Sequence, residues 1–224
     1  LDRFREQLWV YYRVPASGSA RDTVTQLLAL VDENDDVIRR DRRRMEEVIA
    51  ERGRRAADEL AGERTETSEF IDGAVLEELA AEPIGALLDV GTGSGHILKL
   101  LGAKATRAVG IDISSDALRV ARTKVHSAGL SHCELQRGDM YDLPFAAPLF
   151  DTAVAERVLA EAERPVLALT EICRTLKHGG RAIVIEDFDA LIAASAANPI
   201  ATLREWFNKA GLEISRVRPV DTEA

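Results

Sequence analysis

Three glycines at alternate positions form the feature of this sequence that is best suited to bind a ligand. Gly91, Gly93 and Gly95 follow an almost wholly apolar segment, residues 86–90, which has the pattern of a strand buried on both faces of a parallel sheet. After the glycines, residues 96–101 carry apolar side chains at helical spacing. The order is strand, glycine turn and helix, and such a turn lets backbone N–H groups approach a ligand with no Cβ atom in the way.

Two carboxylates accompany this turn. Asp89 lies just before it, and Asp112 lies near the end of a second apolar segment, residues 108–113. Asp112 follows Gly91 by about 20 positions, a spacing typical of an acidic residue that holds the two hydroxyl groups of a ribose. We therefore expect a ligand with a ribose. Without Asp112, an alternative interpretation of the glycine turn is that it binds no ligand and only packs a helix against a strand.

The spacing of the glycines separates two classes of ligand. The pattern G-x-G-x-G differs from the G-x-G-x-x-G of dinucleotide enzymes, in which the helix N-terminus holds a pyrophosphate. A carboxylate at Asp89 would repel a pyrophosphate but suits a ligand that carries an ammonium group. The segment Leu88–Gly95 resembles the first motif of the class I S-adenosylmethionine-dependent methyltransferases. Their cofactor has an amino-acid tail, a sulfonium and a ribose but no phosphate, so the resemblance implies S-adenosylmethionine.

The resemblance continues in order along the chain. Residues 137–145 resemble the family segment in which an aspartate accepts a hydrogen bond from the adenine amino group, and the strand openings at Phe150–Asp151 and Leu176–Ile185 also match. The alternative role for Asp139 is to cap a turn. The cofactor-binding residues that the resemblance implies are Asp89, Gly91, Thr92, Gly93, Gly95, Asp112, Ile113, Asp139, Met140 and Glu156.

No catalytic residue is assigned. Two roles remain open for Glu156, which either lines the cofactor pocket or lies at the surface. Related proteins that carry a fused regulatory module tend to have histidines in the stretch that aligns with Glu156–Ala160, and this chain has none there. Methyl transfer to an acceptor that is already nucleophilic depends mainly on positioning and desolvation, so the difference does not exclude catalysis.

The elements that must position these residues alternate regularly between strand and helix. Apolar runs and helical spacing predict, in order, a helix from Ser68 to about Ala80, a strand 87–90, a helix 96–101, a strand 108–113, a helix 115–128 capped by Ser114 or Ser115, a strand 133–136, a strand 150–155, a helix 164–176, a strand 181–186, a helix 199–210 and a last strand 212–217. This alternation predicts a doubly wound, Rossmann-like α/β sheet with the ligand at the carboxyl ends of the strands, between the strands at Leu87 and Phe150.

The first 64 residues are predicted to form a separate module, and residues 65–224 the cofactor-binding domain. The stretch Phe4–Val14 has strand character and needs a partner strand, which we expect upstream. Residues Trp9–Arg13 resemble the last wing strand of ArsR-type winged-helix repressors, so this module is interpreted as a winged-helix remnant. A helix over Ala20–Val31 carries an apolar stripe that the same resemblance assigns to a homodimer interface: Val24, Leu27, Leu28 and Val31.

A longer helix, from about Val37 to Leu60, carries an arginine cluster interleaved with glutamates. A solvated helix face with pairs four residues apart is the simpler interpretation, and contact with a DNA backbone is the alternative. If DNA is a partner, we expect it to bind through a module upstream of Leu1, because the recognition helix of a winged-helix fold would lie there.

Composition narrows the classes of protein to which this chain could belong. The 224 residues have a formal net charge of −9, which argues against a generic nucleic-acid binder. Two cysteines and four scattered histidines form no metal-ligand spacing, so no metal site is predicted, and a reducing cytoplasmic setting fits best. No apolar run approaches membrane-spanning length, and no membrane association is expected.

Two functions from different classes follow. The first is an enzyme that transfers a methyl group from S-adenosylmethionine to a small-molecule acceptor. The second is a transcriptional regulator whose methyltransferase-like domain only senses S-adenosylmethionine or S-adenosylhomocysteine. Fold alone does not separate the two, because function depends on the site.

Overall fold

The computed structural model describes residues 2–6, 9–13, 23, 26, 36–61, 66–194 and 198–220. The chain divides into two compact units, residues 1–48 and residues 49–224.

The N-terminal unit opens with two strands, β1 (Asp2–Glu6) and β2 (Trp9–Arg13), which pair antiparallel with Asp2 opposite Arg13. The prediction of one strand over Phe4–Val14 with its partner upstream was wrong, because the segment supplies both strands of its own ladder. This pairing satisfies backbone groups that a lone strand would leave open. Of the helix predicted over Ala20–Val31, only residues 23 and 26 are described and both are helical, while the four residues of the apolar stripe lie outside the described residues.

The helix predicted from Val37 to Leu60 is confirmed as α1 (Asp36–Ala61). Arginines 39, 40, 42, 43 and 44 are exposed along it. Two of its ion pairs join residues three apart, Arg39 with Asp36 and Arg54 with Glu51, each with an N–O distance of 2.5 Å. Exposed pairs of this kind contribute a few tenths of a kcal/mol.

Helix α2 (Glu66–Glu78) precedes the central sheet. Val75 and Leu79, at its end, are buried in the core, as their spacing predicts. Ser68 lies inside the helix and does not cap it, so the predicted N-cap was wrong. Phe70, predicted on the apolar face, is 49% exposed because α2 is covered on one side only.

The second unit is built on a five-stranded sheet in which helices connect most of the successive strands. After α2, the elements in chain order are β3 (Ala86–Val90), α3 (His96–Leu101), a turn of 3-10 helix (Gly102–Lys104), β4 (Arg107–Asp112), α4 (Ser115–Ser127), β5 (Cys133–Arg137), β6 (Phe150–Glu156), α5 (Pro165–Thr175), β7 (Leu176–Ile185), α6 (Phe188–Ala194) and α7 (Pro199–Lys209). All neighbouring strands are parallel, in the order β5-β4-β3-β6-β7. This order confirms the doubly wound α/β fold and the switch point between β3 and β6.

Alternate residues of each strand pack against opposite helical layers. On one face, Leu88 and Val90 of β3 share a core with residues of α5 and with the end of α7. On the other face, Leu87 packs with residues of α2, α3 and α4. Because side chains alternate along a strand, Asp89 lies on the same face as Leu87.

Three elements differ from their predictions. Residues 212–217 form no strand, and α6 was not anticipated. Strand β7 begins at Leu176 rather than at Arg181, because residues 177–180 bulge out of the ladder between the pairs Phe150–Leu176 and Thr152–Arg181, with Gly179 at a φ of 77°. The helix cap at Ser114 is confirmed, since its side chain accepts a hydrogen bond from the backbone N–H of Ala117.

Over residues 138–149, all of which the structure describes, no helix connects β5 to β6, and a partly buried ion pair holds the connecting segment instead. The Glu171 side chain on α5 is fully buried, and it accepts a hydrogen bond from the backbone N–H of Leu143 at 3.0 Å. Arg174 pairs with Glu171 at 2.7 Å and donates to the carbonyl groups of Leu143 and Phe145. The Glu171–Arg174 pair therefore holds the irregular segment that follows β5 against the core.

Among the described residues, no helix is long and apolar enough to cross a membrane. The same residues contain no group of three or more His, Cys, Asp or Glu side chains arranged to hold a metal ion. Both cysteines, Cys133 and Cys173, are free thiols.

Candidate functional site

The glycine turn at the carboxyl end of β3 has a backbone that few residues other than glycine adopt. The φ angles of Gly91, Gly93 and Gly95 are 73°, 51° and 81°. The backbone N–H groups of Gly91 and Thr92 donate to the carbonyl of Ile111 at 2.8 and 2.9 Å, which ties the turn to β4. Three left-handed glycines at alternate positions explain why the sequence repeats glycine at every second position here.

Two of these glycines have opposite surroundings. A Cβ atom built on Gly95 would lie 3.1 Å from the Cβ of Ala121, so Gly95 allows α3 and α4 to pack closely. A Cβ atom built on Gly93 would meet nothing nearer than the carbonyl oxygen of Gly91, at 3.8 Å. Gly93 therefore borders open space at the carboxyl edge of the sheet, where a ligand of a doubly wound fold binds.

Asp89 is 1% exposed, and its Oδ2 accepts a hydrogen bond from the Thr92 hydroxyl at 2.5 Å. Thr92 is itself buried. The pair closes the turn from the inside, so Asp89 and Thr92 set the shape and charge of the turn from behind its backbone.

Asp112, at the end of β4, joins the two halves of the site. Its side chain is 2% exposed and accepts hydrogen bonds from the backbone N–H groups of Gly93 at 3.0 Å and of Ser114 at 2.9 Å. Ile113, the next residue, is partly buried, and its carbonyl accepts from Nε of Arg137.

Asp139 lies beyond the end of β5 and is exposed. Its Oδ1 accepts a hydrogen bond from the backbone N–H of Tyr141 at 2.9 Å, which is the turn-capping contact of the alternative interpretation. Met140 is partly buried against the core that faces α5. Tyr141 stacks under the guanidinium of Arg164 at 4.3 Å from its ring centroid, and burial raises the pKa of its hydroxyl.

Glu156 ends β6, the strand beside β3, and its side chain is largely buried. Arg157 follows with a φ of 50°, the one positive value of a non-glycine residue in the described part of the chain. Its backbone N–H donates to the carbonyl of Ile185 at 2.7 Å. Strained backbone of this kind concentrates at functional sites, and Arg157 lies at the end of β6, beside the switch point between β3 and β6.

Glu186, which follows β7, was not predicted from the sequence. Its Oε1 accepts from the backbone N–H groups of Val158 at 3.0 Å and Leu159 at 2.6 Å, so it holds the segment after β6. Burial raises the pKa of this carboxyl above its ordinary value, although the backbone donors work in the opposite direction. The one signal in the sequence is a charged residue at the end of an apolar strand.

The contact between His96 and Asp72, which joins the start of α3 to α2, was not predicted either. Nε2 of His96 lies 2.7 Å from Oδ1 of Asp72. Because α2 precedes the sheet by an irregular connection, the spacing of the two residues in the chain gives no signal of this contact.

The predicted site residues thus fall into three places. Asp89, Thr92, Gly93 and Asp112 are joined by hydrogen bonds at the ends of β3 and β4. Glu156 ends the neighbouring strand β6, and Asp139 follows the edge strand β5. The open space at Gly93 and the carboxylate at the end of β4 lie at the carboxyl edge of the sheet, where ligands of doubly wound folds bind.

The fold and this turn are those of a methyltransferase. A family model described as a methyltransferase domain matches residues 83–217, well over half of the chain. The chain therefore belongs to the methyltransferase-domain family, and S-adenosylmethionine is the cofactor that this relationship supports.

Two curated relatives illustrate the likeness. An uncharacterised 37.1 kDa protein of transposon TN4556 from Streptomyces fradiae is 35% identical over 139 residues, which are 60% of this chain and 39% of that protein. The ubiquinone/menaquinone biosynthesis C-methyltransferase UbiE of Syntrophotalea carbinolica is 35% identical over 115 residues, which are 50% of this chain and 48% of that protein. The chain spans about half the length of these relatives, or less.

Among solved structures, a SAM-dependent methyltransferase from Aquifex aeolicus matches with a TM-score of 0.55 and 23% sequence identity. The match covers 66% of this chain and 83% of that one. At this identity the likeness establishes the shared fold.

Proposed function

We propose that this chain transfers the methyl group of S-adenosylmethionine to a small-molecule acceptor. The observation that carries the proposal is the link between Gly93 and Asp112, in which a left-handed glycine bordering open space donates its N–H to a buried carboxylate at the end of β4. The types and the spacing of these two residues along the chain point to a ribose-containing ligand as well, so the sequence pattern and the hydrogen bond support the same site.

The strand order supports a defined orientation for the cofactor. Strands β3, β4 and β5 are consecutive neighbours, so the turn after β3, Asp112 after β4 and Asp139 after β5 follow one another along the sheet edge. At a strand spacing near 4.8 Å, three strands span roughly 10 Å, which is comparable to the length of an adenosine group. The amino-acid tail would lie over the glycine turn near Asp89, the ribose at Asp112 and Ile113, and the adenine at Asp139 and Met140.

The chemistry asks little of the protein beyond positioning. S-Adenosylmethionine would supply an electrophilic methyl carbon, and the residues at the carboxyl ends of β3, β4 and β6 would align the acceptor with it and exclude water. Glu156 and the strained Arg157 end the strand next to the glycine turn, so the segment after β6 would border the acceptor. The Syntrophotalea relative is named as a C-methyltransferase of quinone biosynthesis, which supports a small organic acceptor here.

Isothermal titration calorimetry with S-adenosylhomocysteine tests the proposal. We expect Asp112→Ala to weaken binding by roughly 10- to 100-fold, because a hydrogen bond to a charged group is worth about 1.5–3 kcal/mol. Asp116→Ala is the matched control, since Asp116 is an exposed carboxylate at the start of α4. A folded Asp112→Ala protein that binds as tightly as the wild type would refute the assignment.

A second candidate function rests on the N-terminal unit. The β1–β2 hairpin has the form of a wing, and the exposed arginines of α1 offer a basic face, so we also propose that the chain is part of an ArsR-type regulator that forms a homodimer in the cytoplasm. A DNA-shift assay with and without S-adenosylhomocysteine, run beside light scattering of Leu27→Asp/Leu28→Asp, separates the two functions. A wild type that is monomeric and binds no DNA, with or without the ligand, would refute the regulator and leave only the enzyme. A Leu27→Asp/Leu28→Asp protein that stays dimeric would refute the proposed interface.

A further inference from the structure

His96 is the one histidine that the structure places directly after the glycine turn. It is the first residue of α3, and its side chain is 27% exposed. The carboxylate of Asp72 on α2 lies 2.7 Å from Nε2, with only 7% of its side chain exposed. A partly open imidazole thus stands in front of a buried carboxylate, which is the arrangement of a general base and the group that orients it.

The hydrogen bond determines which ring nitrogen can accept a proton. Asp72 accepts from Nε2–H, and this bond favours the neutral tautomer in which Nδ1 carries a lone pair. Among the described residues, Nδ1 of His96 has no hydrogen-bond partner.

Other groups around the same edge are engaged elsewhere. Glu186 accepts two backbone N–H groups, and Glu156 lies 3.9 Å from the guanidinium of Arg157. Lys124 donates to the Ser94 hydroxyl at 2.8 Å. The hydroxyl of Tyr141 has a pKa raised by burial, so it remains protonated at neutral pH.

We propose that His96, oriented by Asp72, is the general base of the methyl transfer, and that the acceptor is a molecule whose attacking atom carries a proton. The inference rests on the proposed function. As the lone pair of the acceptor oxygen or nitrogen, or the electron pair of its acidic C–H bond, forms a bond to the methyl carbon, the C–S bond breaks and its electron pair passes to sulfur, giving a neutral thioether. The proton of the acceptor goes to Nδ1 of His96. A thioether or a tertiary amine carries no such proton and would not need this base, so hydroxyl, N–H and acidic C–H groups define the substrate class.

Two measurements on the full chain decide the matter without a known acceptor. In 15N NMR of the histidine rings, with His96→Gln for assignment, we expect His96 to have Nε2 protonated and Nδ1 bare, and Asp72→Asn to remove that preference. In carbethoxylation by diethyl pyrocarbonate, S-adenosylhomocysteine at about 100 times its Kd should slow reaction at His96 at least tenfold, since only about 1% of sites then remain free. His126, exposed on α4, is the control and should react at the same rate with and without the ligand.

The outcomes separate this inference from the proposed function. A protonated Nδ1, or reaction at His96 that S-adenosylhomocysteine does not slow, overturns the role of His96 and leaves the cofactor site standing. Failure of the wild type to bind S-adenosylhomocysteine overturns the proposed function itself. For any acceptor that turns over, His96→Gln should lower kcat by about 100-fold or more while the affinity for S-adenosylhomocysteine stays within about twofold of the wild type.

Discussion

Alanine substitutions at Gly93 and Gly95 should affect different properties of the protein: ligand binding at Gly93 and folding stability at Gly95. Both glycines have positive φ angles, so each substitution forces a residue with a Cβ into the left-handed region, at a cost of about 1–2 kcal/mol. At Gly95 the new Cβ also lies 3.1 Å from the Cβ of Ala121, and such overpacking typically costs about 1–3 kcal/mol more. At Gly93 the nearest atom to the new Cβ is the carbonyl oxygen of Gly91 at 3.8 Å, so no packing cost is added.

These costs convert into melting temperatures. A domain of this size loses about 2–4 °C per kcal/mol, so Gly93→Ala should lower Tm by about 2–8 °C and Gly95→Ala by about 4–20 °C. S-Adenosylhomocysteine at 100 times its Kd stabilises a folded protein by about 2.7 kcal/mol, which raises the wild-type Tm by about 5–11 °C. We expect Gly95→Ala to keep this ligand shift, because its Cβ points towards α4. Gly93→Ala should lose most of it, because its Cβ occupies the space proposed for the ligand.

Differential scanning fluorimetry of the three proteins, with and without S-adenosylhomocysteine, measures all of these quantities. A Gly93→Ala protein that shows the full ligand shift would mean that Gly93 does not border the cofactor. A Gly95→Ala protein that melts with the wild type would mean that α3 and α4 do not pack closely at Ala121.

Two carboxylates at opposite ends of the sheet should give opposite pH dependence. Burial raises the pKa of Glu186 above its ordinary value of 4.5. The wild type should therefore lose stability relative to Glu186→Gln as the pH rises through the raised pKa. Between pH 4 and pH 8, the Tm of Glu186→Gln should rise relative to that of the wild type. The pKa of Asp151 is lowered, first by the hydrogen bond from Lys177 and then by that from the backbone N–H of Ala86. The wild type should therefore melt above Asp151→Asn at pH 7 and lose this advantage as the pH falls below 3.8. Melting curves across pH check both, with Asp116→Asn as the exposed control, and a pH-independent difference for either variant would contradict the corresponding assignment.

The local pattern of the chain determined most of the strand and helix order. The apolar run before the glycines, the alternate glycines and the acidic residue after the next strand are short-range features, and each has one backbone conformation that suits it. The predicted bounds of α3 agree with the structure, and those of α4 differ by one residue. The segment 212–217 has strand composition but forms no strand, because a ladder needs a neighbouring strand that composition cannot supply.

Tertiary structure alone decided which side chains meet. The hydrogen bond from Gly93 to Asp112 joins residues 19 positions apart, and the contact between His96 and Asp72 joins residues 24 positions apart, each brought together by parallel strands and packed helices. The same packing brings the backbone of Val158 to Glu186 and leaves Gly93, but not Gly95, beside open space. Residue types can indicate a cofactor because a ligand requires particular groups in a particular order. They cannot indicate a contact between two helices such as that of His96 with Asp72, because the meeting of those helices depends on how the whole apolar core packs.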